Sequence, residues 1–196
     1  MSSLVTKEAP DFTAQAVMPN NTFEEIKLSN YKGKYVLLFF YPLDFTFVCP
    51  SEIIAFDKKL AEFKERNCEV LGVSVDSHFT HLAWKNTEVN KGGIGNIQYP
   101  LVSDLSRQIA QDYGVIFNDS LALRGLFLID REGVVKHSTI NDLGLGRNVD
   151  EAIRVLDALQ FTEEHGEVCP ANWQKGEEAM KPTAEGVASY LSKHAN

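Results

Sequence analysis

Cysteine is scarce in this chain. There are three, Cys49, Cys68 and Cys169, and no two stand in a C-x-x-C pair. That scarcity excludes a small disulfide-framed domain and an ordinary dithiol of the thioredoxin type. No apolar run approaches the roughly 20 residues of a membrane-spanning helix. Residues 1–30 show no basic-then-apolar leader, so the expectation is a cytoplasmic protein whose thiols start reduced. Positive charge is also short: 19 Lys and Arg against 27 Asp and Glu leave a net charge of −8. With no basic stripe, neither nucleic acid nor an anionic membrane is an expected partner. Internal repeats and low-complexity tracts are absent as well.

What is present is ordinary for a globular chain of 196 residues, 44% hydrophobic and 23% charged, enough for one full core and an extension. Residues 9–35 read as irregular or hairpin structure turning at Pro19-Asn20-Asn21. Strand-like runs then alternate with helical ones. The strands are Val36–Tyr41, Val70–Val75, Leu101–Ser103, Gly125–Ile129 and Val134–Asn141; the helices are Ser51–Arg66, Phe79–Thr87, Ser106–Tyr113 and Val149–Phe161. The last two strands adjoin at Asp130-Arg131-Glu132-Gly133, which predicts an antiparallel hairpin in an otherwise alternating α/β order, and hence a mixed sheet. Residues 1–161 form the expected domain. Residues 162–196, with Trp173, Pro182 and a short helix over Ala184–His194, read as an arm.

The most informative stretch is Tyr41-Pro42-Leu43-Asp44-Phe45-Thr46-Phe47-Val48-Cys49-Pro50-Ser51-Glu52. An apolar strand leads in, and Ile53, Phe56, Leu60 and Phe63 carry a helical spacing out. Pro50 suits the first helical position, because its missing amide would lack a partner there anyway. Cys49 therefore falls at or beside the helix start, where free amides and the helix dipole favour the thiolate. A helix terminus contributes about 0.3–1 kcal/mol, up to roughly 2 when partly buried, which is too little alone. A cation is needed, and Arg124, at the head of a strand-like run, is the best candidate. Pro42, Thr46 and Cys49 stand at the spacing P-x-x-x-T-x-x-C. A threonine hydroxyl both donates and accepts, and proline is rigid and has no amide. Separately they read as a strand end, a turn residue and a small buried hydrophobe; together, followed by Pro50 and Glu52, they read as a reactive sulfur site.

These residues closely resemble the typical two-cysteine peroxiredoxins, including bacterial alkyl hydroperoxide reductase C. The matching segments are Phe45–Pro50, Val73–Ser77, Leu82–Trp84, Gln111–Gly114, Arg124-Gly125, Gly146-Arg147 and His165–Pro170, so the resemblance runs from about residue 7 to the C-terminus. It implies a thioredoxin-like fold with an N-terminal hairpin extension and a C-terminal arm, and a cofactor-free, metal-free thiol peroxidase acting on hydrogen peroxide and organic hydroperoxides. By the same resemblance Cys49 attacks the O–O bond, Thr46 and Arg124 bind the peroxide oxygens, and Pro42 shields the sulfur. Glu52 orients Arg124, with Arg147 as a second guanidinium; the plainer alternatives for those two are an exposed helix acid and a loop base. Cys169 matches the resolving cysteine, which in the family forms an intersubunit disulfide. The implied partners are a second copy in a homodimer, a ring of five dimers, and a thioredoxin or dedicated flavoprotein reductant.

Two departures from hyperoxidation-sensitive members stand out. Gly92-Gly93-Ile94-Gly95 replaces Gly-Gly-Leu-Gly, and Tyr190-Leu191 replaces Tyr-Phe, which implies intermediate sensitivity to over-oxidation. Cys68 reads as structural. His78 and His81, three apart on one helix face, read as surface residues rather than metal ligands. A redox-regulated chaperone or peroxide sensor is the competing non-enzymatic reading, and a metal-binding thiol protein the third.

Overall fold

The computed structural model describes residues 3–194. They form two compact units, one up to Val149 and one from Asp150 onward, so the division falls at the first residue of the long helix that starts at Val149.

The first unit is built on a seven-stranded mixed sheet. Its strands are β1 (Thr13–Val17), β2 (Phe23–Lys27), β3 (Tyr35–Phe40), β4 (Cys68–Ser74) and β5 (Leu101–Ser103). After β6 (Ile116–Phe117) and β7 (Leu121–Ala122), a separate small pair, come β8 (Arg124–Ile129) and β9 (Val135–Asn141). The spatial order is β2-β1-β5-β4-β3-β8-β9. Only β3–β4 and β4–β5 pair in parallel; the hairpins β1–β2 and β8–β9, and the contacts β1–β5 and β3–β8, are antiparallel. The mixed sheet and both predicted hairpins are present.

Every residue of β3 is buried, which is why its sequence is a continuous apolar run and not an alternation. On one face Val36, Leu38 and Phe40 join Leu71, Val73, Tyr113 and Phe127 in the main core. On the other, Phe39 stacks on Phe56 at 4.5 Å and meets Tyr99 edge-on at 5.9 Å. Gly72 of β4 makes this second face possible. A Cβ there would sit 2.8 Å from Leu101 and 3.0 Å from the Phe39 ring.

The helices of this unit are α1 (Cys49–Lys58), α2 (Leu60–Glu65), α3 (His78–Lys85) and α4 (Gln108–Asp112). The single helix expected over Ser51–Arg66 is thus two. At Lys59 the amide turns to the Phe56 carbonyl, tightening the chain for one step. Ile53, Phe56, Leu60 and Phe63 still all face inward across the break, so the apolar spacing is satisfied without continuous helix. The β6–β7 hairpin was not foreseen; its turn runs through Asn118 and Asp119, both left-handed at φ 50° and 52°, the residue types that tolerate that conformation.

In the second unit α5 (Val149–His165) is followed by an irregular arm and α6 (Ala184–His194). Trp173 anchors the arm. Its ring is buried 5.0 Å from Phe161, its Nε1 donates to the Glu177 carbonyl, and its own carbonyl accepts from Arg154. Among the described residues no helix is long and apolar enough to cross a membrane.

Candidate active site

Three segments of the first unit converge on Cys49: the exit from β3, the start of β8, and the loop after β9. Cys49 is the first residue of α1 and Pro50 the second, one place later than the proline rule alone suggests. Val48, at the N-cap, is already helical (φ −87°, ψ −34°) and makes no side-chain cap. Phe45 adopts φ 54°. This sharp reversal returns Thr46 toward the helix start.

The sulfur is fully buried and faces two donors. The Thr46 hydroxyl lies 2.9 Å away and Arg124 Nη1 3.4 Å away. Thr46 Oγ1 is also 2.8 Å from the Leu43 carbonyl. One hydroxyl carries one proton, so it serves either the carbonyl or the sulfur, and a thiolate is the stronger acceptor. Pro42 is buried in the same segment.

Arg124 is fixed at three points. Its Nε donates to the Leu143 carbonyl at 2.8 Å, and its Nη1 donates to Glu52 Oε2 at 2.6 Å while facing the sulfur. Glu52 accepts from Arg147 as well: Oε1 takes its amide and Nε, both at 2.8 Å, and Oε2 takes Nη2 at 3.0 Å. Arg147 Nη1 then reaches the carbonyls of Phe40 (2.8 Å) and Gly125 (2.6 Å), and its guanidinium lies over the Phe39 ring at 5.2 Å. A Cβ at Gly125 would stand 2.6 Å from the Val115 side chain, so glycine lets the start of β8 pack against it.

The three side chains of this cluster are each 3% exposed. Glu52 is therefore not an exposed helix acid, nor Arg147 a loop base. Two guanidinium groups and one carboxylate leave a buried charge of +1, and a thiolate at Cys49 brings it to zero. An uncompensated buried charge is costly, and the Cys49 sulfur is the group that lies against it.

Cys68 lies in β4, with its thiol pushed up to about 12 by burial, which suits the structural reading. Cys169 is half-buried, its sulfur 3.6 Å from the Ala158 carbonyl and 3.7 Å from the Thr162 hydroxyl. One expectation fails. His81 is not a surface residue but fully buried, its Nδ1 2.7 Å from Asp44 Oδ2 and its Nε2 3.2 Å from the Val102 carbonyl. His78 does stay near the surface, packed against the rings of Phe23 and Phe79. No group of three or more metal-ligating side chains occurs among the described residues.

A buried cysteine beneath a hydroxyl and a clamped guanidinium, on a mixed α/β sheet, defines a thiol-dependent peroxidase. The chain belongs to the AhpC/TSA family, whose model matches residues 5–138; the model for the C-terminal domain of 1-Cys peroxiredoxin matches residues 158–193. Among its relatives, peroxiredoxin-1 of Gekko japonicus is 58% identical and alkyl hydroperoxide reductase C of Helicobacter pylori 56% identical, each alignment covering 98% of both chains. The solved structure of reduced 2-Cys peroxiredoxin from Plasmodium vivax superposes with a TM-score of 0.96 at 59% identity, covering 97% of this chain and 100% of that one. The fold is thus the thioredoxin-like fold of the peroxiredoxins, and the activity that of the two-cysteine type.

Proposed function

We propose that Cys49 is the sulfur that attacks peroxide and that Cys169 of a second copy resolves it. The observation that carries this is the convergence of Thr46 and Arg124 on one buried sulfur. The thiolate attacks the nearer peroxide oxygen; an S–O bond forms, the O–O bond breaks, and the leaving oxygen takes up a proton as water or alcohol. Arg124 and Thr46 hold the two oxygens in line and stabilise the charge that moves onto the leaving one. Glu52 orients Arg124, Arg147 orients Glu52, and Pro42 keeps water from the sulfur. Cys49 sulfenic acid then condenses with the thiol of Cys169 from the second copy, giving a disulfide and water.

Hydrogen peroxide and organic hydroperoxides are the substrates in this reading, and a thioredoxin or a flavoprotein disulfide reductase restores the thiols. It also includes a homodimer assembled into a ring, with a decamer as the expected size. Exposed Phe79 and Phe47, 65% and 97% accessible, support association between copies. A Plasmodium yoelii relative, modified at its N-terminus, forms an artifactual octamer. Three free thiols per chain suit a cytoplasmic setting. The same exposed aromatics support a secondary chaperone role, which would survive Cys49→Ser, whereas a peroxide-sensing role would be lost with the sulfur.

A non-reducing denaturing gel after one equivalent of hydrogen peroxide tests the cycle. A covalent dimer in the wild type that vanishes in Cys169→Ser is the expected result. Monomer in both, with peroxide still consumed, would assign resolution to another thiol.

A further inference from the structure

Cys49 is fully buried, whereas a disulfide brings two sulfurs to about 2 Å. The first turn of α1 must therefore open before a second thiol can reach the sulfur. One contact to α1 takes no part in the peroxide chemistry and bears on that opening. The Tyr99 hydroxyl, from the chain entering β5, donates to the Ile53 carbonyl at 2.8 Å. Next to it in the chain, the Gln98 amide donates to Asp57 Oδ1 at 2.6 Å. The two grips fall one turn apart on the same helix.

Ile53 sits where the first turn of α1 meets the second. In an α-helix beginning at Cys49 its amide bonds the Cys49 carbonyl, and its own carbonyl accepts the Asp57 amide. Helix formation is cooperative, so a terminal turn is only as firm as the turn it grows from. A carbonyl oxygen has two lone pairs, and Tyr99 takes the one that the helix leaves free. Opening that spreads past Ile53 has to break this bond. The donor is permanent: burial holds the Tyr99 phenol well above its ordinary range, so it keeps its proton at any working pH.

The chain that carries Tyr99 is itself held fast. Trp84 of α3 donates its Nε1 to the Gly92 carbonyl at 2.8 Å, and Ile94, Ile97 and Tyr99 are all buried. The Pro100 carbonyl takes the Gly72 amide of β4 at 3.1 Å. Tyr99 thus ties the second turn of α1 to the sheet. The bond involves neither the glycines of Gly92–Gly95 nor Tyr190-Leu191, so it acts apart from both.

We propose that Tyr99 is a positioning residue that pins α1 at Ile53, slowing the release of oxidised Cys49 toward a second thiol and prolonging its exposure to a second peroxide. Two fates compete for Cys49 sulfenic acid. With the Cys169 thiol an S–S bond forms, the S–O bond breaks, and the hydroxyl leaves as water with the thiol proton. With a second peroxide a further S–O bond forms and the O–O bond breaks, giving sulfinic acid and water or alcohol. Only the first fate needs the turn to open. The inference rests on Cys49 as the attacking sulfur and Cys169 as the resolving one.

Tyr99→Phe separates the two fates, since it keeps the ring's edge-on contact with Phe39 at 5.9 Å and leaves the Ile53 carbonyl its Asp57 partner. In stopped flow the oxidation phase should match the wild type within about twofold. The disulfide phase should run about fivefold faster, the scale of one net hydrogen bond. By intact mass, about fivefold more peroxide should then be needed for the same sulfinic fraction per turnover. An unchanged disulfide phase overturns the pin. A fall in both phases overturns it too, leaving Tyr99 as a support of the folded site alone. Should the variant fail to fold, hydrogen exchange of the reduced wild type decides: an Asp57 amide that outlasts the Ile53 amide at least about tenfold upholds the pin, and the two exchanging together refute it. If Cys169→Ser retains the disulfide phase, or Cys49→Ser still consumes peroxide, the underlying assignment fails instead.

Discussion

Glu52→Gln separates charge from geometry in this site. The carboxylate accepts four N–H groups, one from Arg124 and three from Arg147. Glutamine has one acceptor oxygen, and its amide nitrogen would face donors. Breaking one side of a buried ion-pair cluster costs about 3–5 kcal/mol, which in a domain of this size lowers the melting temperature by roughly 6–20 °C. The buried charge around the sulfur meanwhile rises from +1 to +2. An ion pair at the 3.4 Å separating Arg124 from the sulfur is worth about 5 kcal/mol before desolvation, at an effective dielectric near 20. Arg124 released from Glu52 keeps its charge but loses its aim. The expected result is therefore split. Iodoacetamide should alkylate Cys49 in the folded variant at least as fast as in the wild type near about pH 6, while the rate of oxidation by peroxide falls about 10²–10³-fold, the scale of one misplaced transition-state donor. A loss below tenfold would refute the orienting role of Glu52. Slower alkylation would refute the charge balance.

Thr46→Val removes the hydroxyl and preserves shape; oxidation by hydrogen peroxide in stopped flow should slow about 10²-fold, with little change in melting temperature. The Cys68 thiol is raised from 9.0 to about 12, so the unfolded chain releases this proton first. Stability should therefore decline as pH rises from 9 toward 12, and Cys68→Ala should flatten that decline in denaturant titrations. Native iodoacetamide labelling should spare Cys68 throughout.

The local geometry of the site was legible because it sits in one run of sequence. Proline, threonine and cysteine at fixed offsets, with a helical pattern after them, determine a strand end, a turn and a helix start. Arg124 could be named because a lone arginine heading an apolar strand has few other uses. The fixing of Glu52 by Arg147 was only half visible, since it depends on the loop after β9 returning to the end of β3. His81 was misread for a related reason: a helix face considered alone shows His78 and His81 as neighbours, whereas the true partner, Asp44, lies within the reactive run itself. The Asn118-Asp119 turn was readable, but its two-residue strands are too short to show a period.

Arg147 joins the ends of β3 and β8, whose residues meet only after distant parts of the chain have paired. Its grip on Glu52 exists only when those strands lie side by side with α1 docked across them. On the assignment proposed for Cys49, a nascent or damaged chain thus carries the same cysteine without the surroundings that would quicken it. Speed toward peroxide becomes a certificate of completed folding, and a half-made molecule offers peroxide no more than a common thiol.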